Sequence, residues 1–168
     1  STMNPWLPEG YESDSVIQIE TCIDDISGET LGFVAERLRD AGALDVWLTA
    51  IQMKKNRPGH LLSLLCTKSQ TSSLTELLFT ETGSFGVRIS EVTRLKLRRD
   101  FVTVQTPYGE ITVKRGFKGD TLCQVVPEFE SCKALALKLN VPLVQIYTEA
   151  KQAAQTNAFP SENLQQFD

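Results

Sequence analysis

The chain has 168 residues, of which 41% are hydrophobic and 23% are charged, and this balance argues against both a disordered chain and a membrane protein. Its formal net charge of −4 is too acidic overall for a protein that is coated with nucleic acid. No secretory leader is visible and no apolar run approaches the ~20 residues of a membrane span, so we expect a cytoplasmic protein.

The first part of the chain predicts six elements in the order βαββαβ. Residues 1–13 carry Ser1-Thr2 before Met3 and then two prolines, so we expect a tag remnant and a linker there. The predicted elements are a strand over Ser15–Ile23, a helix capped by Ser27 and ended by Gly42, strands over Leu44–Met53 and Leu61–Cys66, a helix that starts with a capping box at Ser73-Leu74-Thr75-Glu76 and ends at Gly83, and a strand over Phe85–Leu97. This order is typical of the ferredoxin-like fold, in which two helices cover one face of an antiparallel sheet.

The second part predicts an extension of that core. Alternating residues on both sides of Pro107-Tyr108-Gly109 indicate a hairpin, and Thr121–Val126 is a further candidate strand. A helix from Glu128 that stops at Asn140 and a last helix over Leu143–Gln155 follow. We therefore predict an α+β fold with a ferredoxin-like βαββαβ core, extended by a β-hairpin and C-terminal helices, over residues 14–155, and a flexible tail over residues 156–168.

The positive charge is concentrated in residues 88–118. This window holds eight basic and three acidic residues, a net +5, which leaves −9 for the remainder of the chain. Such asymmetry can create a local anion site inside an acidic protein. A solvated sheet face with salt bridges is the alternative interpretation, and the sequence leaves both open.

The turn Lys54-Lys55-Asn56-Arg57-Pro58-Gly59 places three cations in four positions between two apolar strands. Arginine can grip phosphate oxygens with two hydrogen bonds, whereas lysine acts as a mobile point charge. The pattern is not the phosphate-binding loop of nucleotide hydrolases, because it lacks GxxxxGK[ST]. A basic hairpin that protects a sheet edge from aggregation is the alternative interpretation.

Carboxylates surround the junction between the first strand and the first helix, at Glu20, Asp24 and Asp25. Such groups can hold Mg²⁺ or Mn²⁺ together with substrate phosphates, or simply favour the dipole of the following helix. The single histidine, His60, is interpreted as a surface or capping group. The cysteines lie in or beside apolar runs without a CxxC spacing, which is typical of small buried hydrophobes and argues against zinc.

Six segments of the sequence together resemble the LarC family, the nickel insertion proteins of the nickel-pincer cofactor pathway. They are Ile19–Asp25, Ala41–Trp47, Ile51–Gly59, Glu81–Arg88, Thr106–Gly109 and Pro127–Cys132. Members of that family are about twice as long or more, and the chain resembles their C-terminal part. Phe129 and Ser131 stand where the family more often has Tyr and Asp.

The resemblance implies a function and a set of partners. The family inserts nickel, its substrate metal, into pyridinium-3,5-bisthiocarboxylic acid mononucleotide, and the reaction depends on CTP with Mg or Mn. The C-terminal domain is the part that binds CTP, in an assembly built as a homo-trimer or hexamer. With one histidine, this chain is expected to need the N-terminal part of the same protein to collect nickel and to be inactive without it.

The resemblance implies that the basic turn of this sequence is a phosphate-binding site. The residues implied for triphosphate or substrate phosphate are Lys54, Lys55 and Arg57, with Arg88 and Lys114 as secondary contacts, and those implied for the cation are Glu20, Asp24 and Asp25. The Glu128–Cys132 motif is a candidate supporting or oligomer contact. The alternative function is a non-catalytic effector-binding or oligomerisation module. RNA binding is disfavoured, because no strand carries the stacking aromatics of an RNA-recognition motif.

Overall fold

The computed structural model describes residues 4–156. The packing divides the chain into two compact units, an N-terminal unit of Ser13–Arg94 and a C-terminal unit of Leu95–Asp168 together with Ser1–Glu12. The predicted tag remnant at Ser1-Thr2 and most of the predicted tail, residues 157–168, lie outside the described residues. Within the described part, no helix is long and apolar enough to cross a membrane.

The N-terminal unit is built on a four-stranded sheet with two helices. Its elements are β1 (Glu12–Ile23), α1 (Gly28–Asp40), β2 (Asp45–Gln52), β3 (Pro58–Cys66), α2 (Thr71–Thr82) and β4 (Arg88–Lys96). The strand order in the sheet is β2-β3-β1-β4, and β3 pairs antiparallel with both β1 and β2. The predicted ferredoxin-like βαββαβ core is therefore confirmed.

The core of this unit forms because alternate strand residues and one stripe of each helix are apolar. On β1 and β3 the inward positions pair across the sheet, as in Ile19 with Leu64. The buried residues that they meet are Leu31, Val34, Ala35 and Leu38 of α1, and Leu74 and Leu78 of α2. This packed layer fixes where the loops at each end of the sheet emerge.

The helix ends follow local sequence signals, with one change from the prediction. Ser27 caps α1 as predicted, because its hydroxyl accepts a hydrogen bond from the Thr30 amide at 3.2 Å. Gly83 ends α2 in a left-handed conformation with φ of 64°. The predicted capping box at Ser73 is wrong, because α2 follows directly on a short 3-10 turn whose capping box joins Thr67 and Gln70.

The C-terminal unit is a three-stranded antiparallel sheet covered by two helices. Its elements are β5 (Arg98–Thr106), β6 (Gly109–Lys118), β7 (Thr121–Pro127), α3 (Phe129–Leu139) and α4 (Leu143–Thr156). The strands pair in the order β5-β6-β7, which confirms the predicted hairpin and the further strand. The core residues are Val102, Val104, Ile111 and Val113 of the sheet, with Cys132, Ile146, Ala150 and Ala154 of the helices.

Ion pairs account for part of the positive charge of residues 88–118. Arg115 makes two hydrogen bonds of 2.8 Å with the buried Asp100, and Arg94 binds Asp14 in the same two-bond manner. The guanidinium of Arg98 lies 4.4 Å from the ring centroid of Phe117. The salt-bridge interpretation therefore holds for Arg94 and Arg115, whereas Arg98 contacts an aromatic ring.

Candidate functional site

The β2–β3 hairpin presents the three predicted cations on a turn with an unusual backbone. Lys55 and Asn56 have positive φ of 60° and 59°, which is the pattern of the tight type I′ hairpin turn. The turn is closed by a hydrogen bond of 2.7 Å from the Met53 amide to the Arg57 carbonyl. The Gln52 side chain also donates to the Asn56 side-chain carbonyl at 2.8 Å. The hairpin tip is therefore held in one conformation.

The three cations of the hairpin are uncommitted. Lys54, Lys55 and Arg57 are all exposed, and among the described residues none of them has an ion-pair or hydrogen-bond partner for its side chain. Several positive charges close together, with no negative charge beside them, create a positive potential that attracts anions. The hairpin tip thus has the charge and the fixed backbone that a phosphate site needs.

Gly59 brings the hairpin close to the end of β1. It pairs with Ile51 of β2, and a Cβ atom at this position would lie 2.9 Å from the Ile23 carbonyl oxygen and would also clash with the Met53 sulfur. The next residue, His60, pairs with Ile23 itself. The basic hairpin and the acidic junction after β1 therefore lie at the same end of the sheet.

Asp24 and Asp25 occupy that junction and line a cleft of about 470 Å³ together with the end of α2 and the loop that follows it. Both carboxylates are exposed and, among the described residues, have no ion-pair partner. The loop is tied to β1, because the buried Thr21 hydroxyl donates to the Gly86 carbonyl at 2.9 Å and lies 2.6 Å from the Ser84 hydroxyl oxygen. Phe85, on the same loop, is fully exposed.

Glu20 and Arg88 are paired with each other rather than available to ligands. The Arg88 guanidinium donates to the Glu20 carboxylate at 2.8 Å, and this hydrogen bond is the main reason why the pKa of Arg88 is raised. Glu20 lies within β1, whereas the two aspartates follow the strand. Within residues 4–156, no group of three or more His, Cys, Asp or Glu side chains is assembled into a metal site.

The fifth predicted phosphate contact, Lys114, belongs to the C-terminal unit and not to the unit that carries the other four. It lines a cleft of about 550 Å³, which we call the aromatic cleft. The side chains that define this cleft are Arg99, Phe101, Lys114, Glu128, Phe129 and Tyr147. Sequence reasoning singled out Lys114 and the Pro127–Cys132 motif but missed Phe101 and Tyr147, because the elements that carry them are far apart along the chain.

The cysteines differ from one another more than predicted. Cys66 and Cys132 are fully buried, and burial raises the pKa of both thiols, so the prediction of small buried hydrophobes is confirmed for them. For Cys123 it is wrong, because that residue lies exposed on the edge strand β7. Cys22 is half-buried and has the Arg88 guanidinium 4.0 Å from its sulfur.

The fold and the two clefts define an α+β protein with a ferredoxin-like unit, a basic hairpin beside carboxylates and a second cleft of aromatic and charged side chains. The family model for nickel insertion proteins matches residues 4–147, and the chain belongs to that family. It resembles a putative nickel insertion protein of Syntrophotalea carbinolica with 42% identity over 151 residues, which are 90% of this chain and 38% of the relative.

A second relative and a solved structure give more detail. A protein of Clostridium kluyveri, named pyridinium-3,5-bisthiocarboxylic acid mononucleotide nickel insertion protein, is 41% identical over 88% of this chain and 38% of its own length. The solved structure is LarC2, the C-terminal domain of a cyclometallase involved in the synthesis of the NPN cofactor of lactate racemase, in its apo form. It matches with a TM-score of 0.81 and 39% identity, over 86% of this chain and all of that domain.

A further structure, from Methanopyrus kandleri, shares the fold with a TM-score of 0.65 and 23% identity, over 85% of this chain and 90% of that one. The chain thus corresponds to the LarC C-terminal domain and spans 38% of the length of the two curated relatives.

Proposed function

We propose that this chain is the CTP-binding part of a CTP-dependent nickel insertion enzyme, which metallates pyridinium-3,5-bisthiocarboxylic acid mononucleotide to make the nickel-pincer cofactor. Membership of the nickel insertion family and the match to a cyclometallase domain support the reaction class. The single observation that supports a triphosphate site is the basic hairpin, whose three cations without ion-pair partners lie at the same end of the sheet as Asp24 and Asp25. The choice of CTP is what the resemblance to the LarC family implies.

In this proposal the hairpin neutralises the triphosphate. Lys54 and Lys55 supply point charges, and the planar guanidinium of Arg57 binds two phosphate oxygens at once. The hydrogen-bonded turn fixes the backbone that carries these groups before the nucleotide arrives, so binding costs side-chain but little backbone conformational entropy. Charge-assisted hydrogen bonds of this kind contribute about 1.5–3 kcal/mol each when they are shielded from water.

Mg²⁺ or Mn²⁺ fits the carboxylates at the junction after β1. Asp24 and Asp25 are hard oxygen ligands on an open cleft, and such cations commonly combine one or two protein carboxylates with substrate phosphates and water. The bound cation would neutralise further triphosphate charge. We propose that Glu20 joins it only when its pair with Arg88 opens, which would free Arg88 for a phosphate oxygen.

Four parts of the proposal concern the larger protein. The chain covers 38% of the length of the two curated relatives described above, so nickel collection by an N-terminal part, and the inactivity of this part alone, are proposals about that longer protein. The homo-trimer or hexamer and the cytoplasmic location likewise stay predictions.

Calorimetric titration of the 168-residue chain with CTP and Mn²⁺, compared with ATP and GTP, tests the assignment. We expect CTP-selective binding that falls at least about tenfold in Lys54→Ala/Arg57→Ala, the loss of about 1.4 kcal/mol or more. Lys138→Ala/Lys151→Ala removes the same charge from exposed helix positions and should leave the affinity unchanged. Absence of CTP-selective binding by the folded chain would overturn the assignment and favour the non-catalytic effector-binding or oligomerisation module.

A further inference from the structure

Phe85 is a fully exposed aromatic residue on the loop between α2 and β4. Single apolar side chains on a protein surface are common and need no explanation by themselves. Phe85 differs from such a residue in two respects. It lines a cleft together with Asp24 and Asp25, and hydrogen bonds hold the backbone that carries it. Its ring is therefore available, in a fixed place, to a ligand that enters this cleft.

The loop of Phe85 is held from both sides. Before the ring, the Ser84 amide donates to the Thr82 hydroxyl at the end of α2, over 3.2 Å. After the ring, the Gly86 carbonyl accepts a hydrogen bond of 2.9 Å from the Ser84 hydroxyl and another of 2.9 Å from the buried Thr21 hydroxyl of β1. The exposure of the ring is thus a property of the folded loop.

The loop of Phe85 also lies at the same end of the sheet as the basic hairpin. β4 begins at Arg88, shortly after the loop, and the Arg88 guanidinium donates to Glu20 near the end of β1 at 2.8 Å. The last residue of β1, Ile23, pairs with His60 directly beside the hairpin. The hairpin cations, the junction carboxylates and the exposed ring therefore surround one end of a single sheet.

The cleft itself has the size and the mixed lining of a small-molecule site. Its volume of about 470 Å³ lies in the range of ~300–1,000 Å³ that is usual for such sites. The carboxylates of Asp24 and Asp25 share the lining with the apolar side chains of Ile26 and Phe85. Carboxylates favour a cation with its phosphates, whereas an exposed aromatic ring favours a flat ring that stacks on it. A nucleoside triphosphate carries both kinds of group in one molecule.

We propose that Phe85 is the platform on which the base of the nucleoside triphosphate stacks, while Asp24 and Asp25 hold the cation and the hairpin holds the phosphates. This inference rests on the proposed function, because it adds a contact to the same nucleotide. Stacking uses the π-face that every base has, so Phe85 contributes affinity without selecting the base. Phe85→Ala should therefore weaken CTP and ATP by the same factor.

Inorganic tripolyphosphate is the matched probe, because it has three linked phosphates but neither ribose nor base. In calorimetric titrations of the 168-residue chain with Mn²⁺, Phe85→Ala should weaken CTP binding at least about fivefold and leave tripolyphosphate binding unchanged. Phe85→Leu keeps an apolar side chain without a flat face and should behave like Phe85→Ala. Phe85→Tyr keeps the flat face and should retain the affinity for CTP.

The control is Phe33, an exposed aromatic residue of α1 that does not line the cleft. Phe33→Ala should bind both ligands as the parent chain does. Unchanged CTP affinity in Phe85→Ala would overturn the inference. Equal weakening of CTP and tripolyphosphate in Phe85→Ala would overturn it as well, because the loop would then support the phosphate site instead of contacting the base.

Tryptophan fluorescence reports the contact directly, because a base that stacks on an indole ring quenches its emission. In Phe85→Trp, saturating CTP with Mn²⁺ should quench the added emission, whereas saturating tripolyphosphate should not. The parent chain, which contains Trp6 and Trp47, gives the background, and Phe33→Trp gives the control for an exposed indole outside the cleft. Quenching in Phe33→Trp equal to that in Phe85→Trp would contradict a platform at the cleft.

The same titrations separate this inference from the proposed function. If CTP and tripolyphosphate bind the parent chain equally and both are lost in Lys54→Ala/Arg57→Ala, the triphosphate site stands and the platform is overturned. If CTP binding depends on Phe85 but is unchanged in Lys54→Ala/Arg57→Ala, the platform stands and the assignment of the phosphates to the hairpin is overturned. Absence of binding by both ligands would overturn both.

Discussion

Lys55 combines an exposed positive charge with a backbone conformation that L-residues avoid. Its φ of 60° and ψ of 26° are left-handed, and this region costs a non-glycine residue about 1–2 kcal/mol. Residues held in sparsely populated conformations are concentrated at functional sites, where the surrounding structure supports the strain. Under the proposed function, the position of the charge, rather than stability, accounts for lysine here.

Lys55→Gly tests that interpretation. Glycine removes the backbone strain but adds entropy to the unfolded chain, so the free energy of unfolding should rise by about 0–1 kcal/mol while CTP affinity falls. Urea unfolding and calorimetry measure the two effects. Lys54→Gly is the matched control, because Lys54 has no positive φ, and it should not stabilise. Equal destabilisation by both changes would show that Lys55 carries no relieved strain.

Gly59 is required by close packing at the hairpin. A Cβ atom there would meet the Ile23 carbonyl oxygen at 2.9 Å and the Met53 side chain, so Gly59→Ala should lower the free energy of unfolding by about 1–3 kcal/mol. At Gly32, on the exposed face of α1, a Cβ atom would meet nothing within 4 Å, and Gly32→Ala should stabilise by about 0.5–1 kcal/mol. Urea unfolding of both variants checks the contrast, and a neutral Gly59→Ala would contradict it.

At the scale of elements, the buried pair between β5 and β6 supports the sheet that carries the aromatic cleft. Asp100 is 4% exposed and binds Arg115 through two hydrogen bonds of 2.8 Å. Asp100→Asn leaves the guanidinium without its counter-charge, and breaking a buried pair from one side costs about 3–5 kcal/mol. Urea unfolding should show a loss of that order, partly recovered in Asp100→Asn/Arg115→Met. A loss no larger than that of an exposed pair would contradict this role.

The elements themselves were largely predictable because their signals are local. Apolar alternation located the strands, and Ser27 and Gly83 marked helix ends through their own side chain or backbone. The start of α2 was not predictable in this way. The sequence contains two capping-box patterns, a Thr or Ser followed three positions later by Gln or Glu, and they start at Thr67 and at Ser73. The structure uses the earlier pattern, because it directly follows the end of β3.

The candidate site was only partly predictable, because ion pairs between residues distant in sequence decide which of its side chains are free to bind a ligand. The hairpin cations were identified from one short segment, and the structure leaves them exposed. Glu20 and Arg88 were assigned to ligands, yet they meet each other across 68 residues of sequence. No local pattern reveals this ion pair, since it depends on β4 lying next to β1 in the sheet.

At the scale of the whole molecule, each unit carries one buried thiol in its core, Cys66 in the N-terminal unit and Cys132 in the C-terminal unit. Burial raises the pKa of both, so the reactive thiolate is suppressed at neutral and mildly alkaline pH. Alkylation at pH 8 followed by mass spectrometry should label Cys123 rapidly and Cys66 and Cys132 only in denaturant. Rapid labelling of either buried thiol in the native chain would contradict the assigned cores.

The raised pKa values of these two thiols also determine the direction in which stability changes at alkaline pH. Above the ordinary thiol pKa of 9.0 the unfolded chain releases these two protons while the folded chain retains them. The unfolded state then binds fewer protons, so the free energy of unfolding falls as pH rises through this range. Replacing both residues, as Cys66→Ala/Cys132→Ala, should flatten that alkaline decline in urea unfolding. An unchanged slope would contradict the linkage.

In the proposed function, the triphosphate and its cation bind between the basic hairpin and the acidic junction of the N-terminal unit. Paramagnetic broadening of backbone amide signals by Mn²⁺ with CTP locates that cation, because the effect is strongest near the ion. We predict that the broadening centres on Asp24, Asp25 and the Lys54–Gly59 hairpin, and that Asp24→Asn/Asp25→Asn abolishes it. Broadening centred on Lys114 and the aromatic cleft would contradict the claim.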